Sequence, residues 1–178
     1  MARVSKSAEA ASFWDFSLDC YGRAGVAAAC LDLQDRRGLD VNVLLFCCYA
    51  AAAHGFAMSV KEILAAESRV AMWQSQIIQP LRAARRAMPA ALDGVSGSMI
   101  ESIKARITDA ERAAEEAEQA CLAAVLAQRG DHAPTIDGVV RGLAGHNLRA
   151  YLSGRGHALG PADEDSLNAI LDGCFPLG

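Results

Sequence analysis

The chain has 178 residues, 52% of them hydrophobic but only 6% aromatic, and a formal net charge of −4. That length suits one domain whose core needs no disulfide or metal to hold it, and the acidic balance argues against nucleic acid or an anionic membrane surface as a general partner. Much of the apolar content is alanine, the strongest helix former, so helices packed closely through small side chains are expected.

The start, MARVSKSAEAAS, is polar and lacks the apolar run of a secretion signal. Ser12 is placed to cap a short helix, Phe13 to Tyr21, with Asp15 at its positive end. Gly22 and Gly25 mark a turn. A second helix, Val26 to Arg37, puts Val26, Ala29, Cys30 and Leu33 on one face and ends at Gly38, a residue suited to a left-handed C-terminal position. Asp40 caps a third helix that is apolar on every side, including Leu44, Leu45, Phe46, Cys47, Cys48 and Tyr49. Such a helix is central to a fold, and this one is too short to cross a bilayer before Gly55 stops it.

Ser59 and Glu62 have the spacing of a capping box and open a helix running towards Met88. Its stripe is Val70, Trp73, Ile77, Leu81, Ala84 and Met88, and Pro80, which removes a backbone donor, should kink it. Pro89 to Gly97 is a loop. Ser98 and Glu101 repeat the capping signal, and a long helix follows to about Arg129, with Gly130 as its stop. Ile100, Ile103, Ile107, Ala110, Ala114, Ala117, Cys121 and Ala124 alternate three and four apart, a heptad seam about 45 Å long. Residues 60–88 and 98–129 are therefore expected to form an antiparallel hairpin, with Ile103 and Ile107 against the Ala84–Met88 end. After a break at Asp131 to Pro134, a helix is expected from Thr135 to Ser153, then a glycine-rich turn to Gly160. A last helix opens at Pro161 and buries Leu167, Ile170 and Leu171. No alternating strand pattern occurs. The expectation is an all-α bundle of about six to seven helices, one domain over 1–178, made of N-terminal helices (12–55), a hairpin (59–130) and C-terminal helices (135–178).

The six cysteines, Cys20, Cys30, Cys47, Cys48, Cys121 and Cys174, fall mostly on apolar helical faces. A free thiol there behaves as a small hydrophobe, which implies a reducing cytoplasm. Cys47, Cys48 and His54 are the nearest approach to a metal cluster. Adjacent residues on a helix diverge by about 100°, so core packing is the simpler reading, and neither metal nor cofactor is expected. Trp14, Phe16 and Tyr21 read as a cap on the core, with an aromatic pocket as the alternative. Asp40 and Asn42, with Asp32, Gln34 and Asp35 before them, concentrate polar groups beside an apolar centre, without the spacing of a catalytic or cation-binding motif.

Arg82, Arg85 and Arg86 share one helical face, with Arg69 and Arg106 near enough to join them across a hairpin. Guanidinium groups so placed fit an anion or an acidic partner. The competing reading is a solvated face pairing with Glu111, Glu115, Glu116 or Glu118. Antiparallel threading weakens it, because the basic end of one helix lies near the start of the other.

The segment FWDFSLDCYGRAGVAAACLDLQDRRGLDVNVLLFCCYAA (13–52) resembles a family of uncharacterised bacterial proteins defined only as a domain of unknown function. The likeness extends through QPLRAARRAM (79–88) and NLRAYL (147–152) to Phe175-Pro176. The resemblance implies one helical domain in a bacterial cytoplasm and carries no site residues across. No nucleotide-binding, hydrolase or metalloprotease motif is present. The chain therefore reads as a non-enzymatic protein-interaction or regulatory module, with Arg82, Arg85 and Arg86 as its binding face. The alternative is a small-molecule binder or enzyme with a pocket between the N-terminal helices and the C-terminal pair.

Overall fold

A computed structural model describes residues 11–128 and 137–176. Eight α-helices occur among them: α1 (Phe13–Tyr21), α2 (Val26–Arg37), α3 (Val41–His54), α4 (Val60–Trp73), α5 (Gln79–Ala87), α6 (Gly97–Ala127), α7 (Asp137–Gly154) and α8 (Pro161–Cys174). The N-terminal MARVSKSAEA, the stop at Arg129–Gly130 and the break at Asp131 to Pro134 lie outside the described residues.

The fold is all-α, and its boundaries follow local chemistry. Ser12, Asp40 and Ser59 each accept a backbone N–H at the start of their helix, and Ser59 and Glu62 complete the capping box. Gly38 and Gly55 terminate α2 and α3 with φ of 65° and 62°, where a side chain would be strained. One cap differs from expectation. Ser96, not Ser98, receives the first free amide of α6, from Met99, so the helix starts at Gly97.

α3 is buried from Val41 to Ala51. α7 packs along it, α1, α2 and α4 flank it, and α6 crosses near its start; α8 closes over α1 and α2. The core includes Phe46, Leu44, Leu33, Ile63, Leu122, Leu148 and Tyr151. Five of the six free cysteines are buried in this structure, and Cys121 is exposed. Asn147 on α7 secures the far end of α3. Its side-chain carbonyl accepts from the Met58 amide at 2.7 Å, and its amide donates to the carbonyls of Cys47 and Phe56 at 3.1 and 3.0 Å.

Between α4 and α5 the chain stays helical but widens into a π-turn, Gln74–Ile78. Pro80 lies at the start of α5 and explains the widening: its ring would clash with a carbonyl of an ordinary preceding turn, and it donates no hydrogen bond. The expected irregularity thus takes the form of a bulge rather than a break. α4, this turn and α5 lie against α6 as the hairpin.

The hairpin seam is not the one the heptad suggested. Ile100 and Ala114 are buried, but Ile103 is 43% exposed, Ile107 is half-buried, and Ala110, Ala117, Cys121 and Ala124 face outward. α6 instead buries Glu111, Glu118, Gln119, Leu122 and Leu126. The inner face is rotated away from the alanines because its polar members have partners inside, and because leucines bury more apolar area than alanines do. Leu122→Ala should therefore destabilise the protein by about 2–5 kcal/mol, whereas Ile103→Ala should cost less than about 1 kcal/mol. Urea unfolding of both variants measures the difference; equal losses would return Ile103 to the core.

Candidate binding groove

The start of α3 is where apolar burial meets polar side chains. Asp40 and Asn42 are both buried, so their hydrogen-bonding capacity must be met inside the protein. Ser17 donates to Gln119 Oε1 at 2.8 Å, Gln119 Nε2 donates to Asn42 Oδ1 at 2.8 Å, and Asn42 Nδ2 donates to Glu118 Oε2 at 2.6 Å. On the other side the Asp40 amide donates to the Tyr151 hydroxyl at 3.1 Å, which donates in turn to Glu67 at 2.5 Å. This chain links α1, α3, α4, α6 and α7.

Two carboxyls face each other within it. Burial raises the Glu118 carboxyl to about 8, and the nearby charge of Asp40 adds to the rise. Asp40 is raised as well, chiefly by burial, against the lowering effect of the Asn42 amide. Glu118 Oε1 has no conventional donor among the described residues. A proton shared between the two carboxyls would supply the missing hydrogen bond and remove one of two buried like charges.

Above this network lies a cavity of about 420 Å³ between α1, α2, the start of α3, α5 and α6. One wall is apolar: Trp14 and Tyr21, half-buried, with Leu18 50% and Leu31 43% exposed. Asn42, Ser17 and Gln119 form the floor, and Arg82, Arg85 and Arg86 form the opposite rim. A second cavity, about 520 Å³, continues past Gln34 and Arg86, which line both. It is bordered by Asp35, Asp40, Glu67, Gln74, Gln79 and Arg155. The two cavities make one groove between the N-terminal helices and the hairpin. The sequence had pointed to a pocket beside the C-terminal pair; this groove is displaced from there because α7 and α8 fill the opposite side of α3 and α2.

The three arginines do share this rim, but their states differ. Arg82 pairs with Glu115 at 2.5 Å and Glu111 at 3.3 Å and donates to Gln34 at 3.3 Å. Arg85 holds Glu111 at 2.6 Å. Burial pushes the Glu111 carboxyl up, but Arg85 and Arg82 outweigh it and hold the carboxyl below its ordinary value. Arg86 is exposed and has no ion-pair partner among the described residues. The expectation that threading would keep these arginines from the acids of α6 is corrected for Arg82 and Arg85. Long side chains lean towards their own helix N-terminus. In an antiparallel pair those leans converge, and they close a gap that Cα positions alone leave open. Arg69 and Arg106 do not line the groove.

The remaining polar candidates are engaged in the fold. Asp32 pairs with Arg36 at 2.5 Å and accepts from Ser166; these hydrogen bonds lower its carboxyl to about 2. Arg36 and Arg37 also grip Asp163 of α8, whose carboxyl is fully buried and held far below the usual range by those guanidiniums. Cys47 and Cys48 are buried, and His54 stacks on Phe56 with ring centroids 5.8 Å apart. Among the described residues no three His, Cys, Asp or Glu side chains converge as a metal site requires. Phe16 meets Tyr49 and Phe175, leaving Trp14 and Tyr21 to the groove. Gln119 and Glu118 were hidden from sequence reading inside an acidic helical run. Their only signal is a polar pair interrupting the alanines one turn before Leu122.

Two outcomes follow. In the unfolded chain Glu118 ionises near 4.5, whereas in the folded protein it keeps its proton up to about 8. The folded state thus binds more protons between those values, and stability should fall as pH rises through that window, by up to about 1.4 kcal/mol per pH unit. Glu118→Gln preserves the shape and should flatten that slope in a series of melting curves; an unchanged slope would remove the shared proton. Arg82→Glu would set three carboxylates together at a largely desolvated position and should cost about 3–5 kcal/mol, whereas Arg86→Glu should stay within about 0.5 kcal/mol. Chemical denaturation of the two variants distinguishes the structural arginine from the free one.

Among known proteins, neither the curated proteins nor the solved structures contain a match to this chain. A family model does match, over residues 12–122. That span holds α1 to α5 and most of α6, including every residue lining the first cavity, and ends before the NLRAYL and Phe175-Pro176 segments. The chain belongs to the family described as a protein of unknown function, DUF2390.

Proposed function

We propose that this domain is a non-enzymatic interaction module that receives an amphipathic, acidic segment of another protein in the groove. The observation that carries the reading is that exposed Leu18 and Leu31 share one cleft with Arg86, which has no ion-pair partner among the described residues. Exposed leucines beside aromatic side chains suit the apolar face of a bound helix. A cation at the rim, on a chain of net charge −4, attracts an acidic edge without inviting polyanions in general. The floor supports binding rather than catalysis, because Ser17, Asn42 and Gln119 already satisfy one another. Six free thiols suit a reducing cytoplasm as the place of action, and among the described residues no helix is long and apolar enough to cross a membrane.

A second reading rests on the cavity itself. A volume of about 420 Å³ walled by Trp14 and Tyr21 falls within the range of small-ligand sites. One experiment separates the two: affinity capture from the native cytoplasm at low salt, with mass spectrometry for proteins and for released small compounds. A protein held by the wild type and lost from both Leu31→Glu and Arg86→Glu, each shown to be folded by circular dichroism, supports the interaction module. A compound lost from the same variants supports the second reading. A partner that both variants keep places the binding surface elsewhere.

A further inference from the structure

The second cavity, about 520 Å³, opens between α2, the start of α3, α4, the π-turn and α5, with Arg155 beyond the end of α7. Its size suits a small ligand, and most of its polar lining is already engaged. Glu67 accepts from the Tyr151 hydroxyl and pairs with Arg155 at 3.6 Å; Asp40 accepts from the Asn42 amide at 2.8 Å; Gln34 accepts from Arg82. Two opposite charges remain. Asp35 and Arg86 are both exposed and line this one cavity, yet neither has an ion-pair partner among the described residues, the other included. Asp35 also stands in the last turn of α2, where the carbonyl end of the helix disfavours an anion, so its own helix gives no reason for it. A third group is unmet. Gln74, which opens the π-turn, lines the cavity, and its buried Oε1 has no donor among the described residues. Buried acceptors are nearly always matched, and π-turns recur at functional sites.

We propose that this cavity binds a small zwitterion of the amino-acid class, its ammonium on Asp35 and its carboxylate on Arg86. Charge selects the class. A dication would settle Asp35 but press against Arg86 and Arg155. A dianion would pair with Arg86 but face Asp35, Asp40 and Glu67. A molecule carrying both charges meets both residues without adding a like-charge contact. The guanidinium takes a carboxylate through two parallel hydrogen bonds, and the carbonyl end of α2 that disfavours Asp35 favours an ammonium beside it. A further N–H on the ligand is the group that Gln74 Oε1 lacks, so an amino acid with a polar side chain suits the cavity better than an apolar one. The apolar wall of the first cavity takes no part, so this site does not depend on the docking of a protein segment there, although Arg86 lines both.

Isothermal titration calorimetry of the full chain tests the assignment, with the free amino acids, 1,4-diaminobutane and succinate as probes at millimolar concentration. At least one polar amino acid should bind saturably, and the diamine and succinate should not. Asp35→Asn and Arg86→Gln should each weaken that binding at least about tenfold without altering the circular dichroism spectrum. Leu31→Glu, which changes the first cavity and not the second, should leave it intact, and so separates this site from the docking groove. Absence of saturable binding by every amino acid overturns the proposal. So does diamine or succinate binding as tight as that of any amino acid, or an affinity unchanged in either Asp35→Asn or Arg86→Gln.

Discussion

Burying one helix on all sides constrains everything else in this structure. α3 has no solvent face between Val41 and Ala51, so it needs neighbours all round and partners for the polar groups at both ends. At the far end a single residue, Asn147, meets three backbone groups. At the near end Asp40 and Asn42 cannot be satisfied by α3 alone, and the solution recruits Ser17, Gln119, Glu118, Tyr151 and Glu67 from four other helices. An unmade hydrogen bond in such a place costs about 1–3 kcal/mol. The network therefore fixes where α1, α6 and α7 stand, and the groove is the space that placement leaves over α3.

The helices were legible because most of their described boundaries carry a local signal. Ser12, Asp40 and Ser59 cap; Gly38 and Gly55 stop; the all-apolar α3 announces its central place; Pro80 marks the irregularity of the hairpin. What was not legible is which way α6 faces. Its apolar residues are small and its polar residues acidic, so periodicity named Ala110, Ala117, Cys121 and Ala124 as the inner seam. The decision belonged to long-range partners instead: Asn42 for Glu118 and Gln119, and Arg82 and Arg85 for Glu111. The sequence offered Glu111 as one of four acids the arginines could meet, and nothing in it pairs Asn42 with Glu118 or Gln119. Arg82, Arg85 and Arg86 all line the first cavity. The engagement of Arg82 and Arg85 with Glu111 and Glu115 depends on side-chain direction, which spacing does not encode.

That engagement changes what the rim offers. Two of its three cations are matched by acids on α6, and Arg82 is largely buried between them. They hold α5 to α6 along the segment where the π-turn would otherwise loosen the arm. Among the described residues Arg86 is left without an ion-pair partner, at the point where both cavities meet. The first cavity thus presents Arg86, an apolar wall and a floor whose hydrogen bonds are already made, and the second adds Asp35, Glu67 and Arg155.

α6 emerges as an amphipathic helix worn inside out. It buries Glu111, Glu118 and Gln119 and exposes Ile103, Ala117 and Cys121. The inward half of this arrangement is explained by partners. The outward half has no covering partner among the described residues, although an exposed position is usually polar on a surface helix. Alanine makes the exposure cheap, since each methyl leaves little apolar area in water, and it also lets a second helix approach closely. Gln119 and Ala117 point about 160° apart around the helix, so the groove and the outward face do not compete for space.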